Sequence, residues 1–242
     1  MPRVSKAPHV RREELMDAAL SLCRQVGYEN LLIEQVTTAI GVAKGTFYYH
    51  FNSKDALLTA LVDRFGDGMF AHIEATLPTH GTGLEQLQRL MSDAASYKAD
   101  QLDASVAVLP FLYRPDNRVL RDGLFDAWYD RTRHFLAPIL ARGAADGSFA
   151  IDDPETTAQL VLTLWIDAGT RMWDRALAAP DEDTFIDILV RTAQAIWTAQ
   201  ERLLGTRPGS LAVPIDPASL RGVRAAFLHE LRPHDKPQGS PS

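Results

Sequence analysis

Apolar residues recur at spacings of three and four along almost the whole chain, and nowhere alternate at a spacing of two for more than a few residues. The first spacing is the helical one, because about 3.6 residues complete a turn and bring i, i+3, i+4 and i+7 onto one face. A chain patterned in this way must bury helix against helix, and an all-α fold of about nine helices is expected. Leu15, Ala18, Ala19, Leu22 and Val26 form the first stripe. Gly27 follows as a terminating glycine would, so this helix is expected over Arg11 to Val26. Ile33, Val36, Ala39 and Ile40 form a shorter stripe that ends at Gly41. Lys44 to His50 makes a third segment, with Phe47 and Phe51 four apart. Ser53 is a sound N-cap for a fourth helix through Leu57, Leu58, Leu61, Val62 and Phe65.

Pro78 to Gly83 is a loop by composition, and Leu84, Leu87, Leu90 and Met91 restart a helix. Pro110 should kink or end any helix across Val106 to Tyr113, and Arg114 to Asn117 is a turn. A long amphipathic helix carries Leu120, Leu124, Trp128, Phe135, Ile139 and Leu140 and stops near Gly143 to Gly147. Asp153-Pro154-Glu155 supplies a cap and a first-turn proline for the next helix, to Leu177; after a break at Pro180, Asp181 opens another, to Leu204. The stretch from Gly205 to Ser242 holds six prolines and four glycines in 38 residues and is expected to be mostly extended. Its exception is a short amphipathic helix over 217–231, capped by Asp216-Pro217, with Leu220, Val223, Phe227, Leu228 and Leu231 at helical spacing. Such a helix must dock, either on its own chain or on another protein. Three units follow: 11–71, 83–204 and the tail 205–242.

Composition narrows the classes of activity. Cys23 is the only cysteine, which excludes an intrachain disulfide or a cysteine-rich metal site and fits a buried thiol in a reducing cytoplasm. The candidate apolar run Leu160 to Ile166 is far short of a membrane span, and the first residues lack the apolar core of a secretion signal. A soluble, cytoplasmic protein is therefore expected, with no cofactor or metal. Net charge is −6, but unevenly placed. Residues 1–50 carry six basic side chains against five acidic ones, and the remainder 19 against 26. An acidic body helps to turn a slightly basic end toward a polyanion.

Two short helices joined by three residues with a glycine in the turn have helix-turn-helix geometry, whose second helix enters the major groove of DNA. Gly41 allows the tight turn, Val42 can plug the space between the helices, and Phe47 and Phe51 face inward. Lys44, Thr46, Tyr49 and His50 are left on other faces. The run Gly41-Val42-Ala43-Lys44-Gly45-Thr46-Phe47-Tyr48-Tyr49-His50-Phe51-Asn52-Ser53-Lys54-Asp55-Ala56-Leu57-Leu58 closely resembles the signature of the TetR family of bacterial regulators. The likeness extends back through Gly27-Tyr28-Glu29 to Arg12 and covers about the first quarter of the chain.

The resemblance implies a three-helix DNA-binding domain followed by a larger helical domain that dimerises and encloses a small-molecule pocket. It also implies roles. Lys44, Gly45 and Thr46 lead the recognition helix, Gly45 letting the backbone approach; Tyr49 contacts a base; Tyr48 and His50 donate to phosphates. Lys54 adds its charge at a helix N-terminus aimed at a phosphate. One departure stands out. The family usually has Thr or Ser where this chain has Leu31 and Leu32, and leucine can neither cap a helix nor bond a phosphate. Asn30 is the expected substitute cap. Tyr97, Phe111, Trp128, Trp165 and Trp173 are the candidate pocket residues, although aromatics at this spacing also serve as plain core.

The function these features imply is a homodimeric repressor, released from a palindromic double-stranded operator by a small-molecule effector. An enzyme on a helical bundle is disfavoured, because HExxH, GxSxG, paired Glu-x-x-His and P-loop patterns are all missing. A helical interaction protein that has kept the fold without using it on DNA is the other alternative.

Overall fold

The computed structural model of the protein describes residues 7–101, 112–113, 117–211 and 215–231. The expected kink at Pro110, the candidate Phe111 and most of the expected turn at Arg114 to Asn117 lie outside these residues. Among the described residues there are nine α-helices, one 3-10 turn and no strand.

The helices are α1 (Pro8–Asn30), α2 (Ile33–Ala39), α3 (Lys44–His50), α4 (Lys54–Thr76), α5 (Gly83–Asp100), α6 (Arg118–Asp146), α7 (Pro154–Leu177), α8 (Glu182–Leu204) and α9 (Val223–Leu231). The 3-10 turn is Pro217–Leu220. The helix expected to end at Val26 has a further turn, but Gly27 breaks it with φ 75° and ψ 156°. That kink drops Tyr28 into the core, where its hydroxyl donates to the Lys54 carbonyl at 2.6 Å. The helix expected over 217–231 is likewise two pieces, parted at Gly222 with φ +81°.

Three cores organise the chain. In the first, Leu15, Met16, Ala19 and Cys23 of α1 meet Val36, Phe47, Phe51 and the start of α4, including Leu57, Leu58, Leu61 and Val62. In the second, Met69, Phe70 and Ile73 at the far end of α4 pack with Leu87, Leu90, Leu136, Leu140, Val161, Leu162 and Leu204. Helix α4 therefore runs through both, continuing to Thr76 past the division expected at residue 71. The third joins Ala176, Phe185, Ile186 and Leu189 at the α7–α8 end to Val223 and Phe227 of α9. The tail helix thus docks on its own chain, and it also touches α1.

Close backbone approach fixes the larger domain. A Cβ on Gly83 would lie 2.3 Å from the Cα of Gly143, so the start of α5 can meet the end of α6 only because residue 83 is glycine, while a Cβ on Gly143 would strike the Phe149 ring. Asp146 locks the junction by accepting the Gly83 N–H at 2.8 Å. No helix among the described residues is long and apolar enough to cross a membrane.

Candidate nucleic-acid interface

Helices α2 and α3 are each seven residues long, too short to be stable alone, so their orientation comes from the core beneath them. Gly41, at φ 67°, turns the chain in the left-handed region that favours glycine. The Val42 N–H then donates back to the Thr37 carbonyl at 2.9 Å and closes the end of α2. Phe47 is fully buried and packs against Phe51 with ring centroids 5.5 Å apart, anchoring α3 from inside.

The opposite face of α3 is left to solvent. Tyr49 is 74% exposed and Tyr48 46% exposed, while Lys44 and Gly45 are also exposed and Thr46 and His50 half-buried. Nothing lies within 4 Å of a Cβ added at Gly45, and its φ is not positive. Neither packing nor conformation within the chain therefore calls for glycine there. The Tyr49 ring meets the His50 imidazole edge-on at 4.9 Å. Partial burial, then the nearby Arg12 and Arg11 charges, lowers the His50 pKa, which favours a neutral imidazole.

Lys44 is not free to reach outward in this state. Its ammonium bonds the Glu34 carboxylate of α2 at 2.5 Å, raising the lysine pKa and lowering that of the acid through the hydrogen bond. Both groups are exposed, so the pair is a removable tie between the two short helices. Lys54 opens α4 with its ammonium 4.5 Å from the Tyr28 ring centroid, and Ser53 caps the helix by accepting from the Ala56 N–H at 3.0 Å.

The start of α2 differs from the sequence expectation. Asn30 does not cap it; its amide reaches back to the Val26 carbonyl at 2.8 Å. Gln35 does the work instead, its side-chain oxygen accepting the Leu32 N–H at 2.9 Å. This is half of a capping box, and a Gln three residues after the cap position is a signal the sequence carries. Leu31 is buried, and Leu32 is 57% exposed beside the helix start. Glu34 and Gln35 lie outside the residues to which the sequence pattern gives a role, and Arg12, which that pattern reaches without giving it one, has its guanidinium 5.1 Å from the Phe51 ring centroid.

A second candidate lies in the larger domain. A cavity of about 440 Å³ opens among α4 to α8 and the 3-10 turn, with Phe70, Trp128, Trp165 and Trp197 in its wall. The Trp165 indole N–H is held by the buried Gln200 side chain at 2.9 Å. Of the other pocket candidates, Tyr97 faces Phe65 and His72 outside the lining. Trp173 lies in the third core, stacked on Phe227 at 5.2 Å, because the docked tail helix claims its ring. Among the described residues no three His, Cys, Asp or Glu side chains gather as metal ligands would.

Comparison with known proteins bears on the helix pair and on the fold. A family profile described as "Bacterial regulatory proteins, tetR family" matches residues 15–61, which span the first core and the helix pair. The HTH-type transcriptional repressor KstR2 of Mycolicibacterium smegmatis is 28% identical over 155 residues, covering 62% of this chain and 73% of that protein. The repressor KstR of the same organism is 24% identical over 189 residues, covering 77% and 88%. Among solved structures, a transcriptional regulator from Cytophaga hutchinsonii has a TM-score of 0.60 at 14% identity, covering 80% of this chain and 96% of its own. SmeT, the repressor of a Stenotrophomonas maltophilia multidrug efflux pump, has a TM-score of 0.59 at 18% identity, covering 85% and 97%. At these identities the structures speak for the fold.

Proposed function

We propose that this chain, which belongs to the TetR family of bacterial regulatory proteins, is a homodimeric transcriptional repressor that holds a palindromic operator and releases it when a small molecule fills the cavity. The observation that carries the reading is the outer face of α3. A glycine with no internal purpose and two exposed tyrosines sit on a helix whose other side is pinned by Phe47. That is the composition of a surface built to be approached closely by something else. The exposure of Gly45, Tyr48 and Tyr49, with Thr46, His50 and Lys54 half-buried beside them, supports assigning this surface to DNA: Tyr49 and Thr46 to base edges, Tyr48, His50 and Lys54 to phosphates, with Gly45 letting the backbone approach. Lys44 joins them by exchanging Glu34 for the duplex.

Dimerisation follows from the geometry of reading. One seven-residue helix offers few base contacts, and a two-fold pair doubles them at half-sites about one helical turn or more apart. Helices α7 and α8 supply the surface. Leu160, Leu164 and Ala168 on α7, and Ile188, Ala195 and Ala199 on α8, form apolar stripes that the chain's own cores leave partly uncovered. A four-helix bundle with a second copy would cover both.

Helix α4 couples the two sites. Its 23 residues span roughly 35 Å, from Lys54 at the duplex to Phe70 and Ile73 in the cavity wall. A ligand that moves the far end tilts the near end, and the dimer passes to a spacing at which two recognition helices no longer match successive grooves.

The test separates specificity from positioning. Tyr49→Ala should weaken operator binding far more than binding to random DNA. Lys54→Ala should weaken both and reduce the salt slope by about one unit. Equal losses on both kinds of DNA for the two variants would sink the assignment.

A further inference from the structure

The cavity contains one feature that an effector of purely apolar surface would leave unexplained. Four of its lining residues carry charged or hydroxyl side chains: Lys98, Thr132, Asp216 and Ser219. Three are satisfied within the chain. The Thr132 hydroxyl donates to the Trp128 carbonyl at 2.8 Å. Asp216 accepts the Ala218 N–H at 3.0 Å, and the Ser219 hydroxyl donates to the Asp216 carbonyl at 2.7 Å. Lys98 alone has no carboxylate or carbonyl partner among the described residues.

We propose that the cavity takes an apolar molecule bearing one anionic group, a carboxylate or its equivalent, and that the Lys98 ammonium holds that group. The inference rests on the effector reading above and names the ligand's chemistry. The wall supplies the apolar half, with Met69, Phe70, Leu162, Trp165 and Trp197 around the space. Its size sets the scale: at the ~30 Å³ one water molecule takes up in the liquid, 440 Å³ is the volume of about fifteen waters, room for a small organic molecule.

Lys98 supplies the polar half. The residue retains ample accessible surface, yet its ammonium is surrounded by enough protein that desolvation lowers its pKa. Both hold at once where accessible surface opens into a cavity whose walls keep bulk water away. A charge so placed gains from an anion delivered by the ligand, since charge-assisted hydrogen bonds strengthen where water is excluded. Asp216 is the competing signal, for a cation. It is exposed at the rim, and its carboxylate is committed to capping the 3-10 turn.

Matched probes decide between these charges. Three of the chain's four tryptophans line the cavity, so quenching of their fluorescence reports occupancy. Dodecanoate, 1-dodecanol and dodecylamine differ only in the head group; 9-anthracenecarboxylate and 9-anthracenemethanol make the same comparison for a flat ring system. The acid of at least one pair should bind at least about tenfold more tightly than its alcohol. Lys98→Met should abolish that ratio while leaving alcohol binding unchanged, and Lys98→Arg should retain it. Equal binding of acid and alcohol, a preference that survives Lys98→Met, or tightest binding of the amine would overturn the proposal. If an alcohol then still displaced the protein from DNA, the effector reading would stand without it. Failure of every probe to bind would overturn both.

Discussion

Gly45 and His50 let the proposed DNA contact be tested at the scale of single residues. A glycine inside a helix costs stability, because it has more freedom to lose than alanine, and here nothing in the fold needs its missing side chain. Gly45→Ala should therefore raise the stability of the free protein by about 0.5–1 kcal/mol while weakening its hold on DNA. Denaturant melts alongside gel shifts would show both; a variant that gains stability and keeps its affinity would remove the case for close backbone approach. His50 makes a prediction with a sign. Burial, aided by Arg12 and Arg11, lowers its folded-state pKa. In the free protein its contribution to stability is complete at higher pH and is lost as pH falls from about 6.5, the unfolded value, through the folded value. A phosphate accepting from the imidazole favours the charged form and raises that pKa again. DNA binding then takes up a proton, so affinity should tighten from about pH 7.5 to about pH 6, and His50→Gln should flatten the change. An identical pH profile in the variant would place His50 away from the phosphates.

Among the elements, α2 shows where local chemistry departs from the pattern around it. With Leu32 at its N-cap, it starts on one half of a capping box, the Gln35 side chain. Leu32→Thr would complete the box and sacrifice little burial, since the leucine is mostly exposed. A gain of about 0.5–1 kcal/mol in thermal or denaturant melts is expected. No gain would mean that the apolar side chain itself has a partner on that surface. The helices proved legible from sequence because their stripes are long: α7 and α8 begin within a residue of where Asp153 and Asp181 signal them. The division of α3 into an inward and an outward face was legible too, since Phe47 and Phe51 assign one side inward and leave the rest. Other features depend on contacts that no spacing encodes. The Lys44–Glu34 tie spans two helices, and α4 crosses two cores without any change in its own sequence pattern. The pocket was only half legible, because an aromatic at helical spacing can face a cavity, as Trp165 does, or a docked tail, as Trp173 does.

At the scale of the molecule, the charge and the architecture point the same way. The acidic surplus lies beyond residue 50, and the surface proposed for DNA lies within the first quarter of the chain. The tail ties the parts together: Ile215, Asp216 and Ser219 line the cavity, while α9 covers the end of α7 and α8 and reaches α1. Helix α4 and the tail are thus two physical routes by which a filled cavity can be felt at the recognition helices. All of this depends on the central claim that a pair of such helices reads a two-fold DNA site. Selection of bound sequences from random DNA tests it most directly, using the full chain and a Leu160→Glu variant. Leu160 is 49% exposed, so the variant should fold and fail to pair. The account predicts a palindrome for the wild-type protein and loss of that enrichment for the variant; no enriched sequence, or a non-palindromic one bound equally by both, would contradict it.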